Sequence, residues 1–191
     1  MSLKVKEKIF PKVDDMDKLQ YDEEGLYSIS RPEDANEISE IIKDYIGHDD
    51  LRILDATAGL GGNTISFSKY FKYVKSIELE KNRYDMLVDN VGLYKLTNVE
   101  LINDNCIDHL KDDSFDIYFF DPPWGGPDYK SQQNLDLTLG GMGLHNILKL
   151  ISKDKIVVFK VPFNYNLNLL KDYDFVIKKI RNILIILLKI F

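Results

Sequence analysis

One cysteine, one tryptophan, three histidines and four methionines are spread over 191 residues. The lone Cys106 cannot close an intramolecular disulfide, so a disulfide scaffold is excluded and a reducing compartment is the default. His48, His109 and His145 lack metal-ligand spacing and no Cys–His pair is evident, so no metal is expected. Long apolar runs are also missing. The most apolar stretch, Ile183 to Phe191, is interrupted by Lys189 and falls short of the roughly 20 residues a membrane-spanning helix needs. It reads as a buried terminal strand, and no membrane association is expected. The opening residues Met1 to Lys8 are charged and carry no apolar signal core, which predicts an intracellular protein, in cytoplasm or nucleus. Basic charge is in deficit, with 25 Lys+Arg against 31 Asp+Glu and a net charge of −6. That balance argues against non-specific coating of nucleic acid, which needs a basic surface. It leaves room for gripping a single nucleotide.

Hydrophobic residues supply 45% of the chain and charged residues 29%, enough to bury the core of one globular domain. Residues 1–29 are polar and without clear period, and read as an extension packing near the substrate site. The domain proper is expected over residues 30–191. Ser30-Arg31-Pro32-Glu33 has the form of a capping box with Ser30 as N-cap. Ile38, Ile41, Ile42, Tyr45 and Ile46 follow at helical spacing, and Gly47 stops the helix. Strand and helix patterns then alternate. Strands are expected at 51–54, 74–79, 99–102, 115–120 and 156–161, and helices at about 63–71, 81–94 and 144–151. Residues 175–180 and 183–191 form a closing antiparallel pair turning at Arg181-Asn182. This alternation predicts an α/β fold, a mostly parallel seven-stranded, Rossmann-like sheet with helices on both faces. Ligands in such sheets sit beyond the carboxyl ends of the strands.

Three of those strand ends carry acidic residues. Asp55 precedes the turn Ala56-Thr57-Ala58-Gly59-Leu60-Gly61-Gly62-Asn63-Thr64. A dinucleotide fingerprint would place glycine at position 64, where threonine stands, so that reading fails. An acidic residue before a turn free of bulk suits the amino-acid part of S-adenosylmethionine (SAM), a cofactor with cationic ammonium and sulfonium groups and no pyrophosphate. Thr57, Ala58, Gly59 and Asn63 are the turn residues expected to meet it. Glu78 ends the second strand, where a carboxylate accepts hydrogen bonds from both ribose hydroxyls. Asp104 and Asn105 follow the third strand, placed for the adenine amino group.

After the fourth strand comes Asp121-Pro122-Pro123-Trp124-Gly125-Gly126-Pro127-Asp128-Tyr129. A polar residue, two prolines and an aromatic here form the motif of methyltransferases acting on planar amino nitrogens. The lone pair of such an amine is delocalised into its ring, and attack on a methyl group requires the nitrogen to become more tetrahedral. The Asp121 carboxylate and the Pro122 carbonyl can accept the two N–H hydrogens and align that lone pair. The prolines fix the backbone and preorganise these acceptors. Trp124 offers a stacking face, best for a cationic base.

The strings "GGNT" and "PPWGGPDY" resemble the RNA cap guanine-N2 methyltransferases, the trimethylguanosine synthase family. The resemblance extends from Asp22 to Ser30 and on to Val161-Pro162-Phe163-Asn164. It implies methyl transfer from SAM to N2 of a 7-methylguanosine-capped RNA end, once or twice, by a catalytic core expected to be monomeric. By that resemblance Asp55, Glu78 and Asp104 hold the cofactor, Trp124 and Pro123 meet the base, and Tyr129 and Asn164 lie near the cap ribose or phosphates. Two departures stand out. Asp121 replaces a serine of the best-known members, and Phe163 stands where a basic phosphate contact is expected. Lys8, Lys12, Lys130 and Lys160 are possible substitutes, although each reads more simply as a solvated surface lysine. Two other readings stay open: methylation of an internal guanine N2 or adenine N6, and a catalytically silent cap- or SAM-binding subunit. Internal bases demand flipping and a wider basic surface, which the acidic balance disfavours.

Overall fold

The computed structural model describes residues 3–48 and 50–191. Three helices come first: α1 (Leu3–Ile9), α2 (Glu23–Ser28) and α3 (Pro32–Ile46). β1 (Arg52–Asp55), α4 (Gly62–Tyr70), β2 (Tyr73–Glu78), α5 (Lys81–Leu93), β3 (Val99–Asn103) and β4 (Ile117–Phe120) follow. A small hairpin of β5 (Thr138–Leu139) and β6 (Met142–Gly143) leads into α6 (Leu144–Ile147). The chain closes with β7 (Ile156–Pro162), β8 (Phe175–Ile180) and β9 (Ile183–Lys189). Seven strands form one sheet in the order β3-β2-β1-β4-β7-β9-β8. The first four pairings are parallel, and β9 runs antiparallel between β7 and β8. The mostly parallel doubly wound sheet is as the sequence alternation requires. The closing pair turns at Arg181, whose φ of 51° lies in the left-handed region.

Strand residues alternate between two apolar layers, as a pleat of period two demands. Ile117 and Phe119 of β4, Val158 of β7 and Ile185 and Leu187 of β9 pack against Ile38 and Ile42 of α3 and Phe67 of α4. Tyr118, Phe120, Val157, Phe159, Ile186 and Leu188 face the opposite layer. The helices are unequal between layers. α3, α4 and α5 are full helices, whereas the other layer has the four-residue α6 and 3-10 turns at Cys106–His109, Leu148–Leu150 and Leu167–Leu170. The helix expected over residues 144–151 is therefore α6 followed by a 3-10 turn. α3 and α4 touch through small residues: Ser39 and Ser66 hydroxyls lie 2.7 Å apart and both donate to the Ala35 carbonyl.

Two local expectations are corrected. The N-cap of α3 is Arg31, with no side-chain cap, and Ser30 Oγ is buried without a hydrogen-bond partner among the described residues. Pro32 in the first turn holds Arg31 extended and moves the start of the helix one residue on. The β5–β6 hairpin lies outside the strands expected from the sequence; its loop Gly140-Gly141 has positive φ at both positions, the demand of a two-residue hairpin turn. The segment before α3 is folded. Ile9, Phe10 and Leu19 pack with Leu60, Ile65, Leu87 and Val91 against α5 and the glycine turn. Asn90, fully buried in α5, accepts from Gln20 N and donates to the Gln20 and Leu60 carbonyls. No helix among the described residues is long and apolar enough to cross a membrane.

Candidate active site

The site is assembled from the carboxyl ends of β1, β2, β3, β4 and β7. At the end of β1, Asp55 is wholly buried. Its Oδ2 accepts from Thr64 Oγ1 at 2.9 Å and its Oδ1 from the Thr57 amide at 3.4 Å. Thr64 also contacts Ser76 Oγ of β2 at 2.9 Å, so the carboxylate fastens the turn to α4. Burial pushes the Asp55 carboxyl up to about 7, and the negative charges of Asp121 and Glu78 push the same way. Glu78 ends β2 and braces the turn from the other side. Its Oε2 accepts from Gly59 N and its Oε1 from Glu80 N, each at 2.9 Å.

Glycine is favoured at three positions of the turn, at Gly59 by its φ of 55° alone. Gly61 has φ of 97°, a conformation strained for any side chain. At Gly62 an added Cβ would stand 2.5 Å from the Ser30 carbonyl oxygen, because α4 starts against the chain entering α3. A Cβ at Gly59 would meet nothing within 4 Å, so that flank of the turn is clear. Asn63 is buried and its Oδ1 has no partner among the described residues.

At the end of β3 the two candidates are partly committed locally. Asp104 accepts from the Asn105 amide and from His109 Nε2 at 3.0 Å, and the hydrogen bond to His109 holds its carboxyl below the usual range. Asn105 Oδ1 caps the following 3-10 turn by accepting from Ile107 N. Asn103, not singled out from sequence, donates to the Glu78 and Leu79 carbonyls and ties this loop to that of β2. Burial pushes the Cys106 thiol up to about 12, away from the thiolate form that a nucleophile needs.

The motif after β4 is locked to the glycine turn: the Asp121 amide donates to Thr57 Oγ1 at 2.7 Å. Asp121 Oδ2 accepts from Lys160 Nζ at 2.5 Å, and Oδ1 takes no hydrogen bond from the described residues. Lys160 is only 4% exposed, so the expectation of a solvated surface lysine is wrong. The register explains why. Phe120 of β4 pairs with Phe159 of β7 in parallel, so the next residues, Asp121 and Lys160, emerge side by side. A lysine interrupting the apolar run of β7 was the available signal. The same Nζ lies 5.5 Å from the Trp124 ring centroid. Trp124 is half-buried, meets Tyr129 edge-on at 5.2 Å, and keeps a buried Nε1 with no partner among the described residues. Asn164 Nδ2 donates to the Tyr129 and Gln132 carbonyls at 2.7 and 2.8 Å, pinning the loop that carries Tyr129. Lys8, Lys12 and Lys130 are exposed, and Phe163 is half exposed.

The structure thus joins Asp55, Thr57, Gly59, Glu78 and Asp121 in one network, and Trp124, Tyr129 and Asn164 in a second, with Lys160 between them. Three carboxylates against one cation suit a ligand with positive centres, and the clear flank of Gly59 and the orphaned Asn63 Oδ1 fit a polar cofactor such as SAM. No group of His, Cys, Asp or Glu able to hold a metal occurs among the described residues. The sheet order and this site define a SAM-dependent methyltransferase.

Comparison with known proteins narrows the class. Residues 51–189 match the sequence model of the RNA cap guanine-N2 methyltransferases, and the chain belongs to that family. It is 36% identical over 207 residues to an uncharacterized protein of Acanthamoeba polyphaga mimivirus, covering 93% of this chain and 78% of that protein. The trimethylguanosine synthase of Schizosaccharomyces pombe is 32% identical over 118 residues, covering 58% of this chain and 48% of the yeast protein. The chain thus spans about half the length of that relative. Solved structures share the fold at low identity. A 16S rRNA N2 methyltransferase of T. thermophilus, in complex with AdoMet and guanosine, has a TM-score of 0.63 at 13% identity, covering 95% of this chain and 46% of that one. A precorrin-6y methyltransferase of Geobacter metallireducens has a TM-score of 0.61 at 18% identity, covering 91% and 94%.

Proposed function

We propose that the protein methylates the exocyclic N2 of a 7-methylguanosine RNA cap, giving dimethylated or trimethylated caps. The observation that supports this most is Asp121-Pro122-Pro123-Trp124 held at the end of β4, with one Asp121 oxygen paired and the other free. When bound, SAM supplies an electrophilic methyl group on a sulfonium. Asp121 Oδ1 and the Pro122 carbonyl accept the hydrogens of the amine and turn its lone pair outward. The hydrogen that nitrogen loses passes to the Asp121 carboxylate and on to water. Trp124 stacks on the base, and a guanine methylated at N7 is cationic, the form an indole face holds best. Asp55, Glu78, Asp104 and the turn residues Thr57, Ala58, Gly59 and Asn63 take the cofactor; Pro123, Tyr129 and Asn164 shape the cap side. The carboxylate cluster that weakens the case for binding an RNA body favours a cationic base and a cationic cofactor.

The test is transfer of label from SAM to m7GTP, m7GpppA, GpppG, GTP and an uncapped oligonucleotide, with mass analysis of the product. Labelling of the first two well above the others is expected. Equal transfer to m7GpppA and GpppG would remove cation recognition from the proposal. Replacing Asp121 by alanine is expected to lower kcat by about 100-fold or more. Unchanged turnover in that variant would take Asp121 out of its role.

A further inference from the structure

The network around Asp121 contains one group that catalysis by the motif alone does not require. Lys160 is buried at the end of β7, and its Nζ reaches two members of the motif: Asp121 Oδ2 at 2.5 Å and the Trp124 ring at 5.5 Å. A buried ammonium is costly unless paired, and so is a buried carboxylate. Each is the other's compensation here. We propose that Lys160 is a positioning residue for methyl transfer: it fixes the Asp121 carboxylate in its ionised form with Oδ1 turned free to accept an amine hydrogen. The inference rests on the reading of Asp121 given above.

The charges around Asp121 make this demand specific. β1 brings Asp55, a like charge coupled to Asp121, and β7 brings Lys160, the opposite charge; Glu78 at the end of β2 acts on Asp55. Burial drives the Asp121 carboxyl upward, and the charge and hydrogen bond of Lys160 are what oppose it. A protonated Asp121 would be a donor at the atom where an acceptor is needed. Burial outweighs the lysine, so the carboxyl already stands above its ordinary value; without the ammonium, burial would act unopposed and raise it further, and its oxygens would lose their fixed roles. The pair also explains how aspartate stands in this buried place: the lysine that neutralises it comes from the neighbouring strand at the matching register position.

Lys160→Met, which keeps the length of the stem and removes the charge, tests the proposal, with D121N/K160M as the variant that leaves neither charge unpaired. The Asp121 carboxyl, assigned by its absence in Asp121→Asn, is titrated by carbon NMR in the wild-type protein and in Lys160→Met. An upward move of roughly one pH unit or more on loss of the lysine is expected. The second measurement is kcat on m7GTP at saturating SAM across about pH 6 to 9, where the acidic limb of the profile reports the bound enzyme. In Lys160→Met that limb is expected to move up with the NMR titration, with kcat down about tenfold near neutrality and largely recovered at the alkaline end, and with KM for m7GTP changing less than kcat. D121N/K160M is expected to fold and to show no such limb. An unmoved carboxyl titration, or a loss of kcat that is uniform with pH, overturns the proposal. Wild-type protein inactive on m7GTP overturns the cap reading instead, and the NMR titration then still decides whether Lys160 governs Asp121.

Discussion

Asp55 is the residue whose burial has the clearest thermodynamic cost. Folding raises its carboxyl from the ordinary 3.8 to about 7, so the folded chain holds this proton more tightly than the unfolded chain does. Its contribution to stability is complete below about pH 4 and is lost as pH climbs through about 7. Asp55→Asn is therefore expected to raise the melting temperature of the ligand-free protein near pH 8, by an amount worth up to a few kcal/mol, and to flatten its decline above pH 5. The same change is expected to weaken SAM binding, because it removes a negative charge from a site built for positive ones. Thermal melts across pH and calorimetric titration with SAM read the two effects, and a variant no more stable than wild type at pH 8 would contradict the assignment. Trp124→Ala removes the stacking face, which is worth on the order of 1–3 kcal/mol, so kcat/KM for m7GTP should fall by about tenfold to 100-fold. Lys160 shows where single-residue reading ended. Its partner stands 39 positions earlier, and only the parallel register of β4 and β7 brings the two together.

The elements were more legible than the contacts between them. β1 and β4 are short apolar runs ended by aspartate, and β7 is apolar but for Lys160; periodicity finds such runs because burial on both faces demands them. The acidic strand ends and the proline motif were readable for the same reason, since each sits where a strand pattern stops. The N-terminal segment was harder. Its helices are short, and its order comes from Phe10 and Leu19 docking on α5 and from Asn90 reaching back to Gln20, all contacts between distant parts of the chain. Ser30 failed as a cap because proline chemistry outranked the capping-box spacing. The glycine turn allows a sharp prediction. In Gly62→Ala the new methyl would lie 2.5 Å from the Ser30 carbonyl and 2.8 Å from an Ile29 side-chain carbon. The first of these is backbone and cannot step aside. α4 must shift, at an expected cost of about 1–3 kcal/mol in denaturant unfolding, with weaker SAM binding as a second effect. Gly92→Ala, at a helical position where a Cβ meets nothing within 4 Å, is the control expected to be neutral or slightly stabilising.

At the scale of the whole molecule, the net charge of −6 sets what kind of nucleic-acid contact the protein can make. Proteins that neutralise many phosphates lose affinity steeply with salt, because each contact releases counterions. Recognition centred on one stacked base releases few. Binding of m7GTP is therefore expected to weaken by less than about tenfold between roughly 50 and 200 mM salt, and extending the RNA beyond the cap should change neither the affinity nor the slope by much. A steep slope that grows with RNA length would reveal a phosphate-binding surface that the charge balance does not suggest.

Trp124 is the chain's one tryptophan, and it stands beside the Asp121–Lys160 pair. Every indole photon the protein emits therefore originates at the candidate active site. Arrival of a cationic base on that ring should quench the emission directly, and a change in the ionisation of its charged neighbours should shift the spectrum even with no base present. Unfolding elsewhere in the chain contributes no indole signal of its own. The protein thus carries an intrinsic fluorophore at the place whose occupancy matters most, readable without label or engineered probe.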